Sequence, residues 1–232
     1  MYICNKIKKL ALILNIETAS KNCSVSISKN GSTIALKEIN EGGYTHAENL
    51  HPFIEEVLKV SNLKINNIDA VAVSKGPGSY TGLRIGVSAA KGICFALDKP
   101  LISVDTLKVL ASQLNIENGL IIPMLDARRL EVYSSIFDKH HQEIRNTEAE
   151  ILNEDSFKNY LYSGKVYFLG DGSEKFKSMI SHPNAIFVDN KFPSANEMGI
   201  LSEEKFQKNE FENLAYFEPF YLKDFVSNVS LK

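Results

Sequence analysis

The chain predicts an α/β fold in two lobes, on three observations. Its first forty residues read as three consecutive strands. A helix–strand–helix run follows them. After residue 104 a second, less regular set of strands and helices begins, with no disordered linker, low-complexity tract or fixed repeat between. At 232 residues there is ample core for two small lobes, here residues 1–104 and 105–232. A hydrophobic share of 44% and a charged share of 23% exclude a disordered or fibrous chain. A net charge of −2 gives no global basic excess for gripping nucleic acid unaided. Cys4, Cys23 and Cys94 are odd in number and form no CxxC, which excludes a disulfide framework or zinc knuckle and favours a reducing compartment.

Residues 10–16 form a continuous apolar run, suited to a strand buried on both faces. Lys6, Lys8 and Lys9 ahead of it give a faint resemblance to a secretory leader, but Asn15 and Glu17 cut the run short and the strand reading is preferred. No apolar stretch nears the roughly 20 residues that span a bilayer. Residues 23–28 alternate, and Asn30-Gly31 joins them to 33–39, a hairpin signal that completes a three-stranded meander.

The first helix is expected over 45–61. Thr45 and Glu48 fit a capping box, Ala47, Leu50, Ile54, Val57 and Leu58 recur at helical spacing, and Pro52 predicts a kink. His46 and His51 stand five apart, about 140° around a helix, so they share no ligand face and read as surface or capping residues. A buried strand over 68–73 then leads into Gly76-Pro77-Gly78 and a second helix over 79–97. In that helix Gly82, Gly86 and Ala90 are spaced by four. Each interior glycine costs about 1 kcal/mol, so something must pack very close to this side.

Further strands are expected over 101–104, 120–125, 132–137 and 166–169. Helices are expected over 105–114 and, from a second capping box of Ser194 and Glu197, over 194–208; an aromatic tail over 216–225 docks on the core.

The glycine turn is the foremost candidate site. A glycine-rich strand-to-helix turn offers free N–H groups at a positive helix end, which makes Gly76, Gly78 and Ser79 candidates for holding a phosphate or nucleotide. The spacing fits neither a Walker A loop nor a dinucleotide fingerprint, because Thr81 stands where each needs glycine. A tight corner weighs equally. Arg84 sits badly against the positive helix end, so a carboxylate or ligand should meet it. Glu17-Thr18 is read as a polar turn rather than a magnesium contact, since Ala19-Ser20-Lys21-Asn22 lacks glycine. Asp126, Arg128, Arg129 and Glu131 are read as an ion-pair cluster rather than a substrate clamp.

These residues resemble the TsaB (YeaZ-like) family, dimerisation subunits of the bacterial complex that makes tRNA threonylcarbamoyladenosine. The likeness rests on Ile13-Leu14-Asn15-Ile16-Glu17-Thr18-Ala19, on His46-Ala47-Glu48-Asn49-Leu50, and above all on Gly76-Pro77-Gly78-Ser79-Tyr80-Thr81-Gly82-Leu83-Arg84-Ile85-Gly86. Leu125-Asp126-Ala127-Arg128-Arg129, Gly170-Asp171-Gly172 and Tyr221-Leu222-Lys223-Asp224 add to it. Glu17 stands where the family more often has Asp. The resemblance implies the two-lobed actin-like fold, with ribonuclease-H-like lobes as in sugar kinases and heat-shock chaperones. It implies a cytoplasmic, non-catalytic scaffold without cofactor or metal, since Leu50 replaces the second histidine of the catalytic relative's metal pair. It implies pairing with the catalytic threonylcarbamoyl transferase subunit through helices 45–61 and 79–97, action alongside an ATPase subunit, a homodimer in isolation, and only indirect contact with tRNA. Leu50, Ile54, Leu58, Leu83, Val87 and Cys94 are the expected partner surface, with Gly82, Gly86 and Ala90 allowing close approach. An ATP-dependent kinase or ATPase of the same superfamily is the alternative.

Overall fold

A computed structural model describes residues 11–40 and 45–223. The expected basic start (Lys6, Lys8, Lys9) and the end of the tail (Asp224, Phe225) lie outside the described residues. The first lobe opens with β1 (Leu12–Glu17), β2 (Cys23–Lys29) and β3 (Ser32–Ile39) as an antiparallel meander. Asn30 and Gly31 both take positive φ, 50° and 79°, as a two-residue primed turn requires. Next come α1 (His46–Val60), β4 (Ala70–Gly76), α2 (Tyr80–Leu97) and β5 (Leu101–Asp105). β4 pairs parallel with β1, and β5 parallel with β4, giving the order β3-β2-β1-β4-β5.

The second lobe repeats that order. It contains β6 (Leu120–Asp126), β7 (Glu131–Phe137), β8 (Glu143–Ile151), α4 (Lys158–Ser163), β9 (Val166–Leu169), α5 (Ser173–Lys177) and β10 (Ala185–Val188). Its sheet runs β8-β7-β6-β9-β10, antiparallel across β8-β7-β6 and parallel across β6-β9-β10. Two mixed sheets of one topology are the expected pair of ribonuclease-H-like lobes.

Strand alternation sorts each sheet into two faces. Leu14, Ile16, Val25, Ile27, Val71 and Val73 meet α1 and α2 on one side of the first sheet. Ile13, Ala70, Ala72, Ile102 and Val104 meet Val109 of α3 (Thr106–Ala111), with Ala195 and Met198 of α6 (Ala195–Lys208), on the other. So the last helix returns to the first lobe. Leu107 and Leu110 of α3 also pack on Ile121, Leu125 and Leu169 of the second sheet, which places α3 between the two sheets. The far face of that sheet carries Phe157, Phe168 and Phe176.

Two caps differ from expectation. Thr45 makes no side-chain cap bond; its carbonyl instead accepts from the Glu48 and Asn49 N–H groups. Ser194 accepts from Asn196 N–H at 3.2 Å, one residue earlier than a capping box. α1 continues through Pro52.

Candidate functional site

The glycine turn is closed by the chain's own backbone. Ser79 caps α2, its Oγ accepting from Gly82 N–H at 3.3 Å. A helix start normally leaves its first N–H groups free for an anion. Here the Ser79 N–H donates to the Ala19 carbonyl at 2.6 Å. A Cβ on Gly78 would lie 2.2 Å from that same oxygen. The turn between β1 and β2 thus packs directly on the glycine turn.

The small-residue side of α2 receives the same turn. A Cβ on Gly82 would lie 2.1 Å from the Thr18 carbonyl oxygen, and one on Gly86 2.2 Å from Thr18 Oγ1. Thr18 Oγ1 donates to the Gly82 carbonyl at 2.8 Å. His46 is buried, not on the surface, with Nε2 at 2.8 Å from the Ser20 carbonyl; burial holds its pKa below the usual histidine value, partly offset by that bond. His51 is exposed. Among the described residues no cluster of three His, Cys, Asp or Glu is placed to hold a metal ion.

Glu17, at the end of β1, is completely buried. Its Oε1 accepts from Ala19 N–H at 2.6 Å, while Oε2 has no hydrogen-bond partner. Burial pushes its pKa up to about 7. The buried carboxyl braces the expected polar turn from within, through its bond to the Ala19 N–H.

The C-terminal segment crosses the turn. Phe220 N–H donates to the Lys75 carbonyl at 2.7 Å, and a Cβ on Gly76, whose φ is +115°, would lie 2.7 Å from the Phe220 oxygen. The Tyr221 ring lies 5.0 Å from that of Tyr80. Lys223 then ion-pairs with Glu131 in the second lobe. Arg84 makes no ion pair among the described residues; its guanidinium lies over the Tyr80 ring, 4.2 Å from the centroid.

The expected partner surface is corrected by burial. Leu50 and Cys94 are 0% exposed, Leu83 1%, Ile54 and Val87 5%, Leu58 9%, and Ala90, Gly82 and Gly86 are buried too. Most of them are the core between α1, α2 and the first sheet. The close approach that the glycines permit is internal. The outward face of α2 is Thr81, Arg84, Ser88, Gly92 and Phe95, spaced by three and four. Phe95 is 83% exposed, and a Cβ on Gly92 would meet nothing within 4 Å. Beside it α1 exposes His51, Glu55 and Lys59. The sequence signal for this face was Gly92 itself, a helix-interior glycine outside the run spaced by four.

The charged hairpin is an ion-pair cluster in part. Asp126 pairs with Lys175 at 2.7 Å and Glu131 with Lys223, but Arg128 and Arg129 are exposed and make no ion pair among the described residues.

Comparison with known proteins decides the family. The model of the family described as TsaD, tRNA N6-adenosine threonylcarbamoyltransferase, matches residues 40–230. The tRNA threonylcarbamoyladenosine biosynthesis protein TsaB of Buchnera aphidicola subsp. Baizongia pistaciae is 30% identical over 224 residues, covering 93% of this chain and 99% of that one. The chain belongs to the TsaB family. TsaB of Escherichia coli K12 is 28% identical over 226 residues, covering 93% of this chain and 96% of its own. The likeness to a tRNA N6-adenosine threonylcarbamoyltransferase, from Staphylococcus haemolyticus, is 39% identical but covers 50% of this chain and 39% of that one. A solved Pseudomonas aeruginosa structure, titled as similar to peptidase YEAZ, superposes with a TM-score of 0.77 at 23% identity over 92% of this chain and 100% of its own. It shows that the TsaB-type fold is shared along the chain.

Proposed function

We propose that the chain is a non-catalytic scaffold in tRNA threonylcarbamoyladenosine biosynthesis, pairing in the cytoplasm with a threonylcarbamoyl transferase subunit and working alongside an ATPase subunit. One observation carries the reading. The Ser79 N–H at the mouth of the glycine turn is spent on the Ala19 carbonyl, so a phosphate-shaped turn serves packing instead of ligand binding. The names of full-length TsaB relatives support the pathway.

The partner docks on the outer faces of α1 and α2, not on the buried residues first expected. Gly92, Ser88 and the exposed Phe95 ring offer a flat strip with one aromatic anchor, the composition that interface centres favour. A stable pairing there should bury roughly 1,200–2,000 Å² in total.

Phe95→Asp tests this by co-purification with the transferase subunit. The variant should fold, because the ring is exposed, and should lose most of the pairing. Undiminished pairing by the folded variant removes α2 from the interface. Arginine at Val87 or Leu83 would report only on folding, since both are core residues.

A further inference from the structure

Two hairpins of the chain take positive φ at adjacent residues, with opposite residue types. A two-residue hairpin of primed type needs positive φ at both central positions, and glycine, asparagine and aspartate take it most readily. The β2–β3 hairpin meets this with Asn30-Gly31. The β6–β7 connection is longer, since Ala127 N–H donates to the Glu131 carbonyl and Glu131 N–H to the Arg128 carbonyl, yet it also takes positive φ at two adjacent residues, Arg128 at 71° and Arg129 at 51°. Left-handed backbone is unfavourable for an ordinary residue with a Cβ. Two adjacent arginines held there are not explained by the turn.

Nor are they explained by local pairing. The hairpin's own carboxylates have other partners. Asp126 Oδ1 takes the Arg128 N–H at 2.5 Å and the Lys175 ammonium at 2.7 Å, Asp171 Oδ1 takes the Asp126 N–H at 3.0 Å, and Glu131 pairs with Lys223. Both guanidiniums remain exposed beside the exposed Leu130. Lys21, on the β1–β2 turn across from Asp171, is also exposed and makes no ion pair among the described residues.

We propose that Arg128 and Arg129, with Lys21 on the Asp171 side, form a contact for the phosphodiester backbone of a structured RNA. The proposal rests on the scaffold reading, in which that RNA is the tRNA substrate, and replaces the expectation that tRNA is met only through the partner. Planar guanidiniums suit phosphate oxygens. The hairpin lies in the second lobe, whereas the face for a protein partner, with Phe95 as its anchor, lies on α2 of the first, so both can be engaged together. With a chain charge of −2, a few cations position RNA held chiefly elsewhere in the assembly and carry no sequence information.

The test is to replace Arg128→Asn together with Arg129→Gly. Asparagine and glycine take positive φ more readily than arginine, so stability should be equal or higher. Anisotropy titration of labelled, unmodified tRNA is run on the chain assembled with its transferase subunit, over a series of salt concentrations. Affinity should fall about tenfold or more at low salt, with the salt slope reduced by nearly two, and Arg128→Lys with Arg129→Lys should recover most of the slope. Equal affinity and slope for wild type and the Asn-Gly variant overturn the proposal. Loss of another protein of the assembly, with tRNA affinity unchanged, assigns the hairpin to an acidic protein surface and equally overturns it. If the wild-type chain fails to pair with the transferase, the scaffold reading falls and the same titration on the isolated chain decides this one.

Discussion

Gly82, Gly86 and Gly92 share one helix and answer to different constraints. Gly82 faces the Thr18 carbonyl, a backbone atom that cannot move aside, while Gly92 faces open space. Gly82→Ala should therefore destabilise the isolated chain by about 1–3 kcal/mol through overpacking. Gly92→Ala should stabilise it by about 0.5–1 kcal/mol, the helix-propensity gain alone. Urea midpoints of the two variants check both signs. Glu17 gives a residue-scale pH prediction. Its pKa is near 4.5 unfolded and about 7 folded, so between those values the unfolded chain has lost a proton that the folded chain keeps. That contribution is greatest below the unfolded value, falls as pH rises, and levels off above the folded value; the loss is of order 3 kcal/mol. Glu17→Gln should lack this fall, so its stability relative to wild type should rise between about pH 5 and about pH 8 in urea titrations. Equal pH slopes would refute the buried carboxyl. The spacing of the small residues was legible in the sequence, but their neighbour was not. Thr18 lies 64 residues from Gly82, and nothing local says that a turn rather than a partner fills the gap.

At the scale of the element, α2 shows why the expected interface was misplaced. Apolar residues on more than one face read as a docking surface, yet the helix lies against the first sheet and α1, and that packing absorbs Val87 and Cys94, while Leu83 is buried against the glycine turn. The face left over is named by Phe95 and Gly92. An exposed aromatic beside a bare helix strip seeks cover, so the isolated chain should form a homodimer at tens of micromolar, and Phe95→Asp should return it to a monomer by light scattering. A wild-type monomer would count against that face. Strands with continuous apolar runs were legible, β1, β4, β6 and β9 above all. β8 was not, because it is a sheet edge whose Glu143, Arg145, Glu148 and Glu150 break any apolar pattern. β10 is four residues long and has only β9 as its strand neighbour.

The whole molecule is two copies of one sheet order, with α3 between them and α6 returning to the first. The two-lobed plan was legible from the strand and helix order of the first hundred residues; the exact repetition was not, since the lobes share topology without sequence periodicity. The C-terminal segment joins the lobes across the glycine turn, bonding Lys75 in one and pairing Glu131 in the other. With Ala19 it packs against the glycine turn, which on our proposal no longer takes a phosphate. Calorimetric titration of the isolated, folded chain with ATP and magnesium addresses that closure directly. No saturable heat should appear at millimolar nucleotide. Stoichiometric binding, with or without turnover, would contradict a sealed turn and restore the kinase or ATPase alternative.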